Sequence, residues 1–171
     1  MAAPLAGQGA VMIWPDTILE LENQSIGEDG QPTLGRALEL AIGEWNAGNR
    51  EREFRLHLLF LAWYCNLEPP FVTGYNEPTP PDQLGGLFSA VYETFSDSIL
   101  DDAEALYVVG LMAMLTPWLL GGDLVTWEAR AEEYHARYRA LVPDGLSPSL
   151  FEGRGAYGDY FADQVQVKGG F

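Results

Sequence analysis

Few side chains in this sequence could hold a transition metal, because its 171 residues include only two histidines and one cysteine. Glu132 and His135 form a Glu-x-x-His motif, the spacing with which one helix gives two ligands to a di-iron or di-manganese bundle. Such a site needs a second copy, yet Glu53 precedes the other histidine, His57, by four residues instead of three. We therefore predict no metal site and no cofactor, and interpret Glu132 and His135 as part of a solvated helix face.

Cys65 could act as a nucleophile only with a general base beside it. His57 precedes it on the same apolar helical stretch, and at ~1.5 Å per residue the two would lie about 12 Å apart. We interpret Cys65 as a small core side chain among aromatic neighbours. The sequence has no Gly-x-Ser-x-Gly motif, no phosphate-binding glycine-rich loop and no dinucleotide-binding motif. Glycosidase-like chemistry with paired carboxylates stays open, although no motif favours it.

The charge distribution is the most informative feature of the sequence. Residues 56–129 contain no lysine or arginine, so no ion pair can form within this stretch. The whole chain has 25 acidic and 9 basic side chains and a net charge of −16. Such a charge repels nucleic acids and anionic membranes and accelerates encounter with cationic proteins. We expect most acids of the stretch to face water or a partner; an ordinary acidic protein without a docking surface is the alternative. The acids are Glu68, Glu77, Asp82, Glu93, Asp97, Asp101, Asp102, Glu104, Asp123 and Glu128.

Length and composition fit a single domain over residues 1–171. An apolar content of 47% excludes general disorder, and one cysteine cannot form an intramolecular disulfide. The N-terminus lacks the basic and apolar regions of a secretory signal. The longest uncharged run, 105–122, contains Gly110 and Pro117 and has no basic flank, so we predict a buried central helix and not a membrane span. We expect a cytoplasmic protein.

The spacing of apolar residues predicts an all-α bundle. Apolar side chains recur at three- and four-residue intervals in five stretches, which predicts helices near 33–47, 49–67, 81–97, 102–120 and 123–142. Segments 54–65 and 105–119 should form the inner layer, since they carry no formal charge apart from Arg55 and a protonatable histidine. Asn49 and Asp123 are predicted helix caps, and Asp101 with Glu104 resembles a capping box.

Both ends of the chain are predicted to be irregular. Residues 1–32 combine Gly, Pro and Asn with two short apolar runs that could form strands or a helical turn. Residues 143–171 are rich in glycine and aromatic side chains. Because a disordered tail would rarely hold so many aromatic residues, we expect this tail to pack irregularly over the helices.

Two aromatic segments, WYCNLEPPFVTGY at 63–75 and FEGRGAYGDYF at 151–161, are typical of a small helical inhibitor. With these segments, its size, its acidity and its lack of catalytic motifs, the chain resembles the immunity proteins of bacterial toxin competition systems. The resemblance implies a helical protein that blocks a basic toxin, and it assigns no individual residue. Acidic inhibitors of this kind use electrostatic steering together with one or two aromatic anchors.

The leading hypothesis is therefore a non-catalytic protein that neutralises or escorts a basic protein partner. Phe71 and Tyr75 are the predicted aromatic anchors, because prolines in the 68–81 connector limit the ordering cost of binding. The alternatives are a DNA mimic that inhibits a nucleic-acid-binding protein, and an enzyme with unrecognised carboxylate chemistry. The acids predicted to contact the partner are Glu68, Glu77, Asp82, Asp97, Asp101 and Asp102.

Overall fold

The computed structural model of the protein describes residues 16–76 and 81–168, which form eight α-helices and three 3₁₀ segments. The helices are α1 (Asp16–Gln24), α2 (Leu34–Asn46), α3 (Arg52–Leu67), α4 (Pro70–Thr73), α5 (Pro81–Glu93), α6 (Ala103–Leu115), α7 (Leu124–Leu141) and α8 (Gly155–Lys168). The 3₁₀ segments are Ser96–Asp101, Pro117–Leu119 and Pro148–Phe151. Across these described ranges the β-structure is limited to one isolated bridge, Ile26 to Pro32. The predicted all-α class is confirmed.

Helices α3 and α6 form the interior. Residues 56–63 of α3 and 104–113 of α6 are all buried. Helices α2 and α5 pack against α3, and α7 packs against α6. The predicted inner layer is thus confirmed as far as Ala113, whereas Met114 and Trp118 are exposed. The helix ends here because Pro117 has no N–H to donate and disfavours a helical Thr116 before it.

The helix caps agree only in part with the predicted ones. Asp123 caps α7 as predicted, with its carboxylate accepting the Thr126 amide at 2.9 Å. At α6 the cap is Asp102 and not Asp101, because Asp102 accepts the Ala105 amide at 3.1 Å. The start of α3 was predicted too early. Asn49 accepts the Glu51 amide at 3.1 Å in the turn before the helix, which begins only at Arg52.

The prediction of irregular ends is wrong for two stretches that form helices, whereas residues 25–32 and 143–154 are turns and a short 3₁₀ segment as expected. Residues 16–24 form α1, and residues 155–168 form α8. Tyr157, Phe161 and Val165 of α8 are buried at four-residue spacing and form the apolar stripe of a helix. The glycines of this segment obscured that stripe. A Cβ on Gly158 would lie 2.2 Å from the Phe151 carbonyl oxygen, so glycine here permits close packing within a helix.

Helix α3 separates two ends of the molecule. Its first residue, Arg52, bonds Asp102 at 2.8 Å. Near its last turn, Asn66 donates to the Leu119 carbonyl at 3.3 Å. Sixteen residues at a rise of ~1.5 Å place these ends about 22 Å apart. We call them the Arg52 end and the Phe71 end, the latter after the exposed side chain of α4.

Candidate partner-binding site

The structure divides the predicted contact residues between the two ends. Glu68, Phe71 and Tyr75 follow α3 and lie at the Phe71 end, whereas Asp97, Asp101 and Asp102 lie at the Arg52 end. Asp82 belongs to the first turn of α5, and Glu77 lies outside the described residues. The predicted single acidic surface is therefore divided into two separate regions, because α5 carries the chain from the Phe71 end back to the Arg52 end.

At the Phe71 end, Phe71 is exposed as an anchor would be, with 81% of its surface accessible. It projects from α4. This helix ends at Gly74, whose φ of 76° lies in the left-handed region and whose amide donates to the Pro70 carbonyl at 2.7 Å. Tyr75, the predicted second anchor, is instead partly buried against the core. A large aromatic side chain on a turn that hydrogen bonds hold in place loses little conformational entropy when it binds a partner.

At the Arg52 end, exposed acids line a cleft between the end of α5, the segment Ser96–Asp101 and α7. The cleft has a volume of about 300 Å³, and we call it the Asp97 cleft. Its charged lining is Glu93, Asp97, Arg130 and Glu133. The Arg130 guanidinium lies over the rings of Trp127 and Tyr92, 4.6 and 4.9 Å from their centroids. The cleft thus presents three carboxylates around one arginine that already contacts aromatic rings.

Asp101 and Asp102 are engaged within the chain. Arg52 forms a two-pronged ion pair with Asp102, and Arg137 bonds Asp101 at 2.8 Å. Burial would raise the pKa of Asp102, but its hydrogen bonds with Arg52 and the Ala105 amide hold that pKa below the ordinary value. Arginines distant in sequence thus supply partners within the chain, although the Asp101 side chain is still 82% exposed to water. The contact of these two acids with an outside partner stays a prediction.

A buried charged cluster, which the sequence did not suggest, ties four elements together. Arg154 bonds Glu53 of α3 at 2.7 and 2.5 Å and Glu104 of α6 at 2.6 Å. Tyr157 of α8 donates its hydroxyl to Glu104 at 2.6 Å. Arg52 also reaches Glu104, at 3.2 Å. This cluster neutralises buried acids within the protein and joins the C-terminal helix to the interior.

His57 lies at the inner edge of the same cluster, with both ring nitrogens facing carboxylates. Its Nδ1 is 2.8 Å from Glu22, and its Nε2 is 3.0 Å from Glu53. A neutral imidazole has one N–H and cannot donate to both, whereas the imidazolium can. Burial would lower the pKa of His57, but the two carboxylates outweigh it and raise that pKa. His57 is therefore a structural cation, with the Tyr157 ring stacked 4.7 Å away.

Glu53 and Glu22 show how the cluster is stabilised. Burial would raise the pKa of Glu53, yet the hydrogen bonds with His57 and Arg154 lower it to about 2. Glu22 on α1 accepts the Tyr157 amide at 3.2 Å, at the start of α8 where the helix dipole favours a negative charge. A Cβ on Gly155 would lie 2.8 Å from the Glu22 carboxylate, so glycine leaves room for that contact.

The candidates for metal binding or nucleophilic chemistry have ordinary structural surroundings. Burial raises the pKa of the Cys65 thiol to about 12, which keeps it protonated and unreactive at neutral pH. His135 lies on α7, where partial burial lowers its pKa. Within residues 16–76 and 81–168, no group of three His, Cys, Asp or Glu side chains is arranged to hold a metal ion.

Comparison of the chain with known protein families, with curated proteins and with solved structures finds no match. The described helices also include none with the length and apolar character needed to cross a bilayer.

Proposed function

We propose that this chain is a non-catalytic acidic binding protein that neutralises or escorts a basic protein partner. Its size and charge suit a toxin inhibitor of the immunity-protein class, acting in the cytoplasm of the cell that makes it. The observation that carries the proposal is that most arginines pair with carboxylates or aromatic rings of the protein itself. Within the residues that the structure describes, the acids left without such a pair or a histidine partner lie at the surface.

Most of the arginines are engaged with the protein's own groups. Arg52, Arg137 and Arg154 form ion pairs with carboxylates. Arg50, Arg55 and Arg130 lie over aromatic rings, at 3.5 Å from the Trp45 centroid in the closest case. The buried carboxylates are therefore neutralised, and the surplus negative charge is left to the surface.

The surface acids create the field that a basic partner would meet. Glu93, Asp97 and Glu133 at the Asp97 cleft are exposed, and so is Glu128 on the same helix as Glu133. Such a field raises the association rate with a cationic protein and fades as salt screens it. A DNA mimic would share this field but would compete with nucleic acid for its partner, which separates the two functions experimentally.

The test is capture of a partner at two salt concentrations. The purified protein is immobilised and exposed to lysate of the cells that encode it, at about 0.05 M and about 0.5 M salt. The bait with Glu93→Gln, Asp97→Asn and Glu128→Gln is used in parallel, since these exposed acids neither cap a helix nor belong to the buried cluster. Leu40→Ala on α2, which leaves the charge unchanged, serves as the control.

We expect one basic protein, captured in stoichiometric amount, whose association is slower with the neutralised bait and with added salt. An acidic captured protein, or capture indifferent to both changes, would contradict the proposal. Release of the captured protein by duplex DNA would favour the DNA mimic, and turnover of a sugar polymer by the bait alone would favour an enzyme.

A further inference from the structure

Five large apolar side chains are exposed on segments that lie at the Phe71 end of the molecule. Phe71 and Trp118 are the two aromatic ones, with 81% and 67% of their surfaces accessible. Exposed apolar side chains that cluster at one end of a protein mark an interaction site more often than scattered single residues do. We define the Phe71 face as Leu67, Phe71, Trp118, Leu124 and Val125, all of them exposed.

Hydrogen bonds tie three of the segments of this face together. The end of α3 is tied to the turn that follows α6, because Trp63 donates to the Thr116 hydroxyl at 2.7 Å and Asn66 donates to the Leu119 carbonyl at 3.3 Å. The start of α7 is tied to the same turn, because Trp127 donates to the Gly121 carbonyl at 2.5 Å. Leu67, Trp118, Leu124 and Val125 thus lie on segments that meet at this end, and Phe71 lies on the short helix that follows α3 directly.

The two aromatic residues project from braced turns. Phe71 lies between Pro70 and the fully buried Thr73, whose amide bonds the Pro69 carbonyl at 3.3 Å. Trp118 lies between the buried residues Pro117 and Leu120. A rigid aromatic side chain loses little freedom on binding, and aromatic residues of this kind are enriched among those that dominate binding energy.

Acidic side chains lie on and beside the segments of the face. Glu68 acts on the hydroxyls of Tyr64 and Tyr160 and, after burial, contributes to raising the pKa of both. Asp163 acts on Tyr160 in the same way. Asp123 is exposed at the start of α7, beside Leu124. The segments that carry the Phe71 face all lie within 56–129, which contains no lysine or arginine.

We propose that the Phe71 face is the docking surface for an apolar segment flanked by arginine or lysine residues on the basic protein partner. This inference rests on the proposed function and names the part of the molecule that performs it. A second copy of the chain fits less well. A two-fold interface repeats the same patch on both subunits, so the acids around the face would approach the acids of the second copy with no base supplied by the face itself.

Three short synthetic peptides probe the face directly. The first has a Leu/Trp core flanked by arginine and lysine, the second has the same core flanked by glutamate, and the third has the basic flanks around a serine core. Their binding is measured by fluorescence anisotropy with the wild type, Phe71→Ala, Trp118→Ala and Leu40→Ala. Leu40 is a matched control because it is an exposed apolar residue on α2, outside the face.

We expect the first peptide to bind best, and Phe71→Ala and Trp118→Ala each to raise its Kd about tenfold or more, as for residues that dominate an interface. Leu40→Ala should leave that Kd unchanged. Failure of the wild type to bind the first peptide, equal binding by all variants, or preference for the acidic peptide would overturn the inference. A dimer in sedimentation that Phe71→Ala abolishes would show that the occupant is a second copy.

The outcomes separate this inference from the proposed function. A captured basic protein whose affinity is indifferent to Phe71→Ala would remove the Phe71 face and leave the proposed function standing. Peptide binding through Phe71, with no basic protein captured from lysate, would remove the proposed function instead.

Discussion

Arg154 is the residue on which we expect the buried cluster to depend most, because it bonds both Glu53 and Glu104. Its replacement by Met leaves the buried Glu104 and the partly exposed Glu53 without that cation. We predict that Arg154→Met lowers the free energy of unfolding by about 3–5 kcal/mol, the cost of breaking a buried ion pair on one side. Urea denaturation followed by circular dichroism measures this loss.

The matched control is Arg137→Met, which breaks an ion pair that water reaches freely. The Asp101 side chain in that pair is 82% exposed. Exposed pairs contribute about 1 kcal/mol or less, so this variant should lose little stability. Equal losses in the two variants would mean that burial of the Arg154 pairs has no energetic consequence.

Protonation of His57 should make the free energy of unfolding depend on pH, and one substitution at this residue can isolate that dependence. Its pKa is raised in the folded protein, so the protonated form stabilises folding. That contribution is fully present below the ordinary pKa of about 6.5 and is lost as the pH rises through the raised value. We predict that the wild type loses stability above neutral pH and that His57→Gln loses less over the same interval.

The control for His57 is His135→Gln, on α7 and outside the cluster. This variant should keep the alkaline loss of the wild type, measured as the free energy of unfolding in urea at several pH values. The opposite result, with the alkaline loss unchanged in His57→Gln, would assign it to another titrating group. The low pKa of Glu53, about 2, keeps that carboxylate ionised throughout this interval.

The sequence could not reveal this cluster, and the reason is distance along the chain. Glu53 and Arg154 are separated by 101 positions, and no local spacing connects them. The one local signal was Glu53 four residues before His57, which sequence analysis used only to exclude a metal motif. Helical spacing shows which residues share a face, but it does not show which distant side chain completes their hydrogen bonds.

At the scale of elements, α8 depends on glycine where most helices avoid it. A Cβ on Gly158 would lie 2.2 Å from the Phe151 carbonyl oxygen, a backbone atom that cannot rotate away. We predict that Gly158→Ala costs on the order of 1–3 kcal/mol, as in other overpacked sites. Thermal unfolding by calorimetry would measure the change.

Gly86 in α5 gives the matched control, because a Cβ there meets nothing within 4 Å. Gly86→Ala should raise stability by about 0.5–1 kcal/mol through its helix propensity. If Gly158→Ala also stabilises the protein, the close approach of α8 to Phe151 is not required for the fold.

The helices that sequence analysis located best are those with an apolar stripe and polar ends. Helices α2 and α7 agree with the predicted bounds within a residue because spacing and end signals coincide there. Helix α8 has a stripe of the same kind, but glycines at Gly155 and Gly158 favoured an irregular prediction. Those glycines meet packing demands from Glu22 and Phe151, which are invisible without tertiary structure.

At the scale of the whole molecule, the predicted binding site was divided because α3 is long and buried. Glu68 and Asp102 are both acidic, lack neighbouring bases in sequence and lie beside helix ends, so the sequence grouped them. Asp102 pairs with Arg52 at the start of α3, whereas Glu68 follows its last residue. The predicted character of Phe71 as an exposed aromatic agrees with the structure; the predicted continuity of the acidic surface does not.

The net charge of −16 predicts how salt acts on the folded protein as a whole. Two effects oppose each other, because salt weakens favourable ion pairs and also screens repulsion among surface acids. The strongest ion pairs are partly or fully buried and are screened little, whereas repulsion among exposed acids is screened over about 8 Å at physiological ionic strength. Screening of repulsion should therefore dominate.

We predict that raising sodium chloride from about 0.01 M to about 0.3 M raises the Tm, since the Debye length falls severalfold over this range. The variant with Glu93→Gln, Asp97→Asn and Glu128→Gln should already unfold at a higher temperature at low salt and should gain less from added salt. Differential scanning calorimetry of both proteins measures the two responses. A Tm that falls with salt would mean that favourable ion pairs outweigh the repulsion among the surface acids in their effect on stability.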